Sequence, residues 1–258
     1  MIESVSLIGA GNLATRLGHA FKDRKIQIKQ VYSRSRQSAD KLAAALHTRS
    51  TDCLKSIELS SDLILISVKD DAIEQVLGQL ELKDQFIVHT AGSVEMGLLA
   101  QYTSRCGVLY PLQTFSKARE LDLNQIPFCL EASDERLMDE LVSLARKLSD
   151  QVYSVNSQQR KQLHLAAVFC CNFVNHLYSI AGTIAENYGL PFDLLQPLIL
   201  ETAQKVQMMP PKEAQTGPAV RFDQTVINAQ LQELKAHPKW QEIYRLISES
   251  IFEMHKNL

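Results

Sequence analysis

The sequence has 258 residues, of which 45% are hydrophobic and 22% are charged, and its formal net charge is −2. This length suits one large domain or two modest ones, and the composition excludes a disordered or collagen-like chain. A nucleic-acid-binding protein needs a surplus of basic residues to neutralise the phosphate backbone and release its counterions. The near-neutral charge therefore argues against nucleic acid as a partner.

The amino terminus and the cysteines are typical of a cytoplasmic protein. Residues 1–4 include no basic segment and lead into no long apolar run, so we expect no signal peptide. The five cysteines are scattered and lack a Cys-x-x-Cys spacing, which argues against a disulfide framework and a metal site. We expect reduced thiols that are mostly buried.

The first 155 residues alternate short β-type runs with helical patterns. Strands are predicted at 5–8, 28–32, 62–68, 86–89, 108–110, 128–131 and 152–154, and helical stripes at 13–21, 39–46 and 73–80. The nearly unbroken apolar run at 62–68 suits a strand buried on both faces. The alternation predicts a doubly wound α/β sheet of the Rossmann type, mostly parallel, over residues 1–155.

The pattern becomes all-helical over residues 156–258. Helical patterns run over 157–187, 192–208, 217–236 and 239–256, with prolines at or near their ends. Residues 162–185 contain no Asp, Glu, Lys or Arg and could span a bilayer by length, but their two histidines and two asparagines are costly in lipid. We expect a buried central helix, no membrane, and a homodimer formed through the wide apolar stripes of these helices.

A glycine-rich segment at residues 9–14 fits the pattern G-x-G-x-x-A between the first strand and the first helix. Gly9 allows the tight turn, Gly11 lets a pyrophosphate approach the backbone, and Ala14 permits close packing of helix on strand. The helix N-terminus offers N–H groups to the phosphates. The predicted dinucleotide-binding residues of this loop are Gly9, Ala10, Gly11, Asn12 and Leu13.

The end of the second strand predicts which dinucleotide binds. A carboxylate there would accept from the ribose 2′-OH of NAD, but no Asp or Glu lies between Asp23 and Asp40. The strand is followed instead by Ser33, Arg34 and Ser35, whose hydroxyl and guanidinium groups suit a 2′-phosphate. We therefore predict NADP as the cofactor.

Two further strand ends are predicted to complete the cofactor site, because ligands of doubly wound sheets bind at the carboxyl ends of the strands. They carry Ser67 and Val68 after one strand, and Thr90, Ala91 and Gly92 after the next. The small residues of the second set would let a nicotinamide ring approach. His89 is titratable and lies nearby, although a hydrogen bond within the sheet edge explains it better than catalysis.

The candidate proton donors are Tyr110, Thr114 and His164, chosen by position and hydrogen-bonding capacity. His164 is placed on one helix face with Asn172, and a structural core histidine is an alternative of equal weight. The candidate substrate-binding residues are Gln113, Asn172, Arg221 and Asp223. Arg221 could anchor a carboxylate or phosphate, and it and Asp223 are expected to meet different partners because helix positions two apart do not face each other.

The cofactor loop resembles that of pyrroline-5-carboxylate reductases and F420-dependent NADP oxidoreductases. Together with the segments at 110–115 and 216–223, it is more similar still to Rossmann-like NADP oxidoreductases with a C-terminal domain of unknown function, DUF2520. The resemblance implies an NADP-binding domain, a helical domain that dimerises, and an active site in the cleft between them. The chain departs from the group's pattern at Tyr110, where histidine is more usual, and at Phe222, where glycine is.

These observations predict an NADP-dependent oxidoreductase that transfers a hydride between nicotinamide and a small carbonyl or imine compound. Two alternatives stay open. One is a dinucleotide-binding protein without catalytic activity, because the same glycine loop serves both and fold alone does not give function. The other is hydride exchange with a flavin or deazaflavin, which needs little acid–base assistance.

Overall fold

A computed structural model of the chain describes residues 1–116 and 121–256. Its eight strands are β1 (Ser4–Ile8), β2 (Gln27–Tyr32), β3 (Arg49–Thr51), β4 (Leu63–Ile66), β5 (Ile87–His89), β6 (Cys106–Pro111), β7 (Phe128–Ala132) and β8 (Val152–Ser154). They form one sheet in the order β3-β2-β1-β4-β5-β6-β7-β8. All neighbours are parallel except β6 and β7, which are antiparallel.

The chain reverses its direction across the sheet between β1 and β4. The strands β2 and β3 lie on one side of β1. The chain then crosses over, and β4 pairs with the other side of β1. Such a switch point opens a crevice at the carboxyl ends of the two central strands, where doubly wound proteins bind their ligands. The predicted Rossmann-type fold is confirmed.

The helices of the first part cover the sheet through their apolar faces. They are α1 (Asn12–Asp23), α2 (Arg36–Leu46), α3 (Ile73–Leu77), α4 (Gly97–Ala100), α5 (Glu135–Arg146) and α6 (Ser157–Ala167). In α1, the positions that repeat at helical spacing, Ala14, Leu17 and Phe21, are all fully buried. Sequence patterns missed β3, which is only three residues long, and α5, which Asp134 caps by accepting from the amide of Leu137.

The chain divides into two compact units, Met1–Asn172 and Phe173–Leu258. The first unit therefore extends beyond the predicted domain boundary at 155/156. The physical reason is α6, whose side chains Ser157, Arg160 and Leu163 all contact the sheet or the segment after β5. A π-helical segment, Val168–Phe173, follows α6 and contains the division.

The second unit, taken by itself, is helical. It contains α7 (Val174–Asn187), α8 (Gln196–Met208), α9 (Pro211–Ala214), α10 (Gln224–Glu233) and α11 (Pro238–His255). No strand occurs among residues 157–256, as predicted. The helix predicted from residue 217 begins later, at Gln224, because Asp223 accepts from the amide of Val226 and caps α10, and Phe222 adopts a left-handed φ of 52°.

The helical stretch Ser157–Asn187 is long and apolar enough to cross a membrane, yet only 6% of its apolar window is buried within the chain. The predicted burial of this helix is therefore not provided by the single chain, and burial against a second copy stays a prediction. The thiols also differ from expectation: Cys106 and Cys129 are buried, but Cys53 and Cys170 are exposed.

Candidate cofactor and active site

The turn after β1 fits closely against the end of β4. Gly9 has a φ of 124°, and its amide donates to the carbonyl of Tyr32 at 2.8 Å. A β-carbon at this position would lie 2.1 Å from the carbonyl oxygen of Ser67. Only glycine therefore allows the loop to cross the switch point, which is the tight turn that the sequence predicts.

Gly11 faces open space. It is the N-cap residue of α1, and a β-carbon added to it would meet nothing within 4 Å. The amides of the first turn of α1, beginning at Asn12, lie beside this space, while Ala14 is fully buried against the sheet. An open cradle at a helix N-terminus fits a pyrophosphate, whose negative charge the amides and the helix dipole stabilise.

The end of β2 presents one arginine without an acidic partner. Arg34 is exposed and, among the described residues, forms no salt bridge. Arg36, by contrast, contacts Asp40 at 2.9 Å and Asp52 at 3.5 Å. Ser35 caps α2 by accepting from the amide of Ser38, and Ser33 is half-buried beside it. This arrangement fits a 2′-phosphate bound by Arg34.

The ends of β1, β4 and β5 form a continuous edge. The amide of Ser67 donates to the carbonyl of Ile8 at 2.7 Å, and that of Thr90 donates to Ile66 at 3.1 Å. Val68 is half-buried, and Ala91 and Gly92 are buried. All the predicted residues of these two strand ends thus lie along one edge with the glycine loop.

A histidine from α6 packs directly on this edge. A β-carbon at Gly92 would lie 2.7 Å from Nδ1 of His164 and 2.8 Å from its Cγ. The small residue at position 92 is therefore needed for the imidazole of His164. Close approach of a nicotinamide to Gly92 stays a prediction.

His164 is hydrogen-bonded to the second predicted proton donor. Tyr110, at the end of β6, places its hydroxyl 3.1 Å from Nδ1 of His164, and the rings meet edge to face. Tyr110 is 9% exposed, whereas His164 is half-buried. Burial raises the pKa of Tyr110 to about 12, with smaller contributions from Cys129 and Asp70, and the charge of Arg160 opposes the rise. The phenol therefore keeps its proton at neutral pH.

The loop after β6 reaches back to α1. Asn12 Nδ2 donates to the carbonyl of Phe115 at 2.9 Å, and Arg16 donates to Ser116 at 3.1 Å. Gln113 and Thr114 are exposed in this loop, and the side chain of Gln113 accepts from the amide of Thr114. Thr114 is thus placed in a loop attached to the cofactor helix, and no contact joins it to the Tyr110–His164 pair among the described residues.

The remaining predicted substrate-binding residues belong to the segment after α6 and to the second unit. Asn172 is exposed in the π-helical segment after α6. In the second unit, Arg221 is exposed, and the carboxylate of Asp223 caps α10. Their roles toward a substrate stay predictions.

His89 is structural rather than reactive. It is fully buried, and its Nδ1 accepts from the amide of Ala91 at 3.1 Å. Burial and the nearby charge of Arg160 lower the pKa of His89 to about 3, so the ring stays neutral. The hydrogen-bonding interpretation of this residue is the one that the geometry supports.

Sequence reasoning missed a buried ion pair next to the site. Arg160 of α6 is 0% exposed and is paired with Glu131 of β7. The sequence does contain a signal for this pair. Arg160 precedes Leu163 and His164 by three and four residues, so the three side chains share one helix face. A charge on such a face indicates a buried partner.

The switch-point crevice, the glycine cradle and the arginine after β2 are the features of a Rossmann-type dinucleotide-binding protein. Residues 4–92 match the family described as "NADP oxidoreductase coenzyme F420-dependent", and residues 126–251 match the "Domain of unknown function (DUF2520)". The search of curated proteins found no match.

Three solved structures are similar over nearly the whole chain. A "putative NADP oxidoreductase" from Bacteroides fragilis is 45% identical, covers 98% of both chains and has a TM-score of 0.93. A Thermotoga maritima protein is 26% identical over 98% of both chains, with a TM-score of 0.73. An imine reductase from Myxococcus stipitatus, solved with NADP+, shares the fold at 18% identity and a TM-score of 0.64, over 98% of this chain and 93% of that one.

The chain belongs to the family of Rossmann-like NADP oxidoreductases that carry a C-terminal DUF2520 domain. Its cofactor is NADP, as the residues after β2 predict. The glycine cradle would hold the pyrophosphate, and Ser33, Arg34 and Ser35 would hold the 2′-phosphate.

Proposed function

We propose that the protein reduces a small carbonyl or imine compound, with His164 delivering the proton and Tyr110 holding its ring. The observation that carries this proposal is the 3.1 Å contact between Tyr110 Oη and His164 Nδ1 beside the strand ends that we propose to bind the cofactor. Family membership supports NADP-dependent oxidoreduction in general. The similar fold of an imine reductase supports the choice of substrate class.

The bound NADPH supplies the hydride, and the chain supplies the proton and its position. Tyr110 occupies Nδ1, which leaves Nε2 as the ring nitrogen that can face a substrate. A protonated His164 donates from Nε2 to the substrate oxygen or nitrogen while Nδ1–H remains hydrogen-bonded to the tyrosine oxygen. The neutral ring then recovers a proton from water.

The experiment is NADPH oxidation, followed by absorbance, with a panel of keto acids, aldehydes and imines. Turnover that His164→Gln abolishes while NADPH binding persists supports the proposal. The control is His19→Gln, which removes a histidine of α1 that does not belong to the edge formed by the ends of β1, β4 and β5. Tight NADPH binding without turnover on the whole panel contradicts the proposal and favours the non-catalytic alternative.

Hydride exchange with a deazaflavin is a second candidate. It is favoured by the match of residues 4–92 to the F420-dependent family. Coenzyme F420 added to the same assay tests it: NADPH-dependent F420 reduction that survives His164→Gln supports this candidate, since hydride exchange needs little proton transfer.

We also propose a cytoplasmic homodimer, with the helices after residue 156 buried between copies rather than in a membrane. The exposed large apolar side chains of the second unit support this. They are Phe173, Leu177, Ile184, Tyr188, Leu190, Leu194, Leu198, Leu200, Val206, Met208, Met209, Phe222, Val226, Leu246, Ile247 and Met254. Sedimentation without detergent tests it, and a monomer, or a species that needs detergent, contradicts it.

The predicted substrate-binding residues stay part of this proposal. They are Gln113, Asn172, Arg221 and Asp223. Arg221→Gln and Asp223→Asn are informative tests, because asparagine can replace Asp223 as a helix cap while removing its charge. A raised KM with unchanged stability supports substrate binding, whereas unchanged kinetics contradicts it.

A further inference from the structure

A buried network fixes the start of α6. The guanidinium of Arg160 is paired with Glu131, donates to the carbonyl of Val94 at 2.5 Å and donates to Ser157 Oγ at 3.1 Å. Ser157 in turn donates to Glu131 at 2.9 Å and accepts from the amide of Met96 at 3.0 Å. The network ties α6 both to β7 and to the segment that follows β5.

His164 depends on this anchor. Arg160 and His164 are four residues apart and lie on the same helix face, one turn from each other. On the other side the imidazole contacts Gly92 and Tyr110. A shift or rotation of α6 would therefore break the contact to Tyr110 or drive the ring into the backbone at Gly92.

A buried ion pair is weak grounds for stability, because apolar residues of similar volume often replace one without loss. Removing one partner alone is strongly destabilising, because it leaves an unpaired charge in the interior. Tyr110 of β6 lies near this network. Its charged and titratable neighbours are Asp70 after β4, Cys129 of β7, and Arg160 and His164 of α6.

We propose that Arg160 is a positioning residue, which holds α6 so that His164 and Tyr110 stay hydrogen-bonded at the edge of the cofactor site. This inference rests on the proposed function, where that pair transfers the proton. The residue itself touches neither cofactor nor substrate in the proposal.

The test is the double variant Arg160→Met with Glu131→Leu, which removes both charges together so that none is left unpaired. The matched control is Lys161→Met with Glu95→Leu, which removes the neighbouring exposed ion pair of the same helix. The readout is the ¹⁵N NMR signals of the His164 ring in the cofactor-free protein, assigned with His164→Gln.

We expect the control to keep the wild-type His164 signals and the double variant to lose them, because its ring is released from Tyr110. NADPH affinity should change by no more than about twofold in either protein. Wild-type His164 signals in the double variant overturn the inference. Arg160→Lys is a second variant, since lysine lacks the planar fork that reaches Glu131 and Val94 together. This variant should also lose the wild-type NMR signals of His164. If it keeps them, the inference is overturned as well.

Activity separates this inference from the proposed function. Where a substrate is turned over, kcat of the double variant should fall about 10²-fold with KM for NADPH unchanged, as expected for a misplaced group. If no carbonyl or imine is reduced, the proposed function fails while the NMR comparison still decides the role of Arg160.

Discussion

The α-carbon of Gly92 lies against the imidazole of His164, so closely that a β-carbon there would sit 2.7 Å from Nδ1. The two residues come from the end of β5 and from α6, elements that are far apart in sequence. Their contact places an imidazole ring at the sheet edge that is predicted to bind the cofactor.

Gly92→Ala should therefore displace His164 and break its hydrogen bond to Tyr110. We expect a loss of about 1–3 kcal/mol in the free energy of unfolding, as for overpacked sites, and a marked loss of turnover. Denaturant unfolding and the NMR signals of His164 measure the two effects. Gly97→Ala is the control, because nothing lies within 4 Å of its added β-carbon; equal effects in both variants would contradict the prediction.

Gly11→Ala should weaken NADPH binding without changing stability. The added methyl group points into open space in the free protein but would occupy the cradle proposed for the pyrophosphate. We expect at least about a tenfold rise in Kd, measured by calorimetry, with an unchanged melting temperature.

Gly9→Ala, in contrast, should destabilise the free protein, because the methyl group would meet the Ser67 carbonyl and the φ of 124° disfavours alanine. An unchanged Kd in Gly11→Ala would refute the predicted cradle.

Arg34→Ala should lower the preference for NADP over NAD. Loss of a charge-assisted hydrogen bond to the 2′-phosphate is worth about 1.5–3 kcal/mol, so NADPH affinity should fall roughly ten- to hundredfold while NADH affinity is retained. Arg36→Ala is the matched control, because this arginine already pairs with Asp40 and Asp52. A larger effect at Arg36 than at Arg34 would reverse the assignment.

His89 should make the fold sensitive to acid. Its pKa is about 3 in the folded protein and about 6.5 when unfolded, so between these values the unfolded chain binds the additional proton. The contribution of neutral His89 to the free energy of unfolding is fully present above pH 6.5. It should fall by about 1.4 kcal/mol per pH unit as the pH drops towards 3. In His89→Asn, whose side-chain oxygen can still accept from the Ala91 amide, this part of the slope should disappear; an unaltered slope would show that other groups cause it.

Phe222 carries backbone strain that glycine would relieve. Its φ of 52° is left-handed, and its ring stacks on Phe252 with centroids 4.1 Å apart. Phe222→Ala loses the stacking and keeps the strain, whereas Phe222→Gly loses both. We expect the glycine variant to be more stable than the alanine variant by about 1 kcal/mol in denaturant unfolding, and the reverse order would argue against strain.

The glycine turn and the choice of NADP could be predicted because their signals are local, while the individual cofactor-binding residues stay predictions. The glycine loop needs only a strand, a turn and a helix in direct succession, and the residues predicted to bind the 2′-phosphate follow the next strand. The order of strands and helices likewise follows from apolar periodicity along the chain. Among the strands and α-helices, the short polar strand β3 and the helices α4, α5 and α9 were the elements that these patterns did not predict.

The sequence by itself thus determined the Rossmann-type sheet, the cofactor loop and the preference for NADP, since each depends on neighbouring residues. Only the tertiary structure decided that α6 packs against the sheet, that Tyr110 meets His164 across 54 residues, and that Arg160 is buried with Glu131. The physical reason is that these contacts join residues distant in the chain, and a charged residue in a helix looks the same in sequence whether its face meets water or the protein interior.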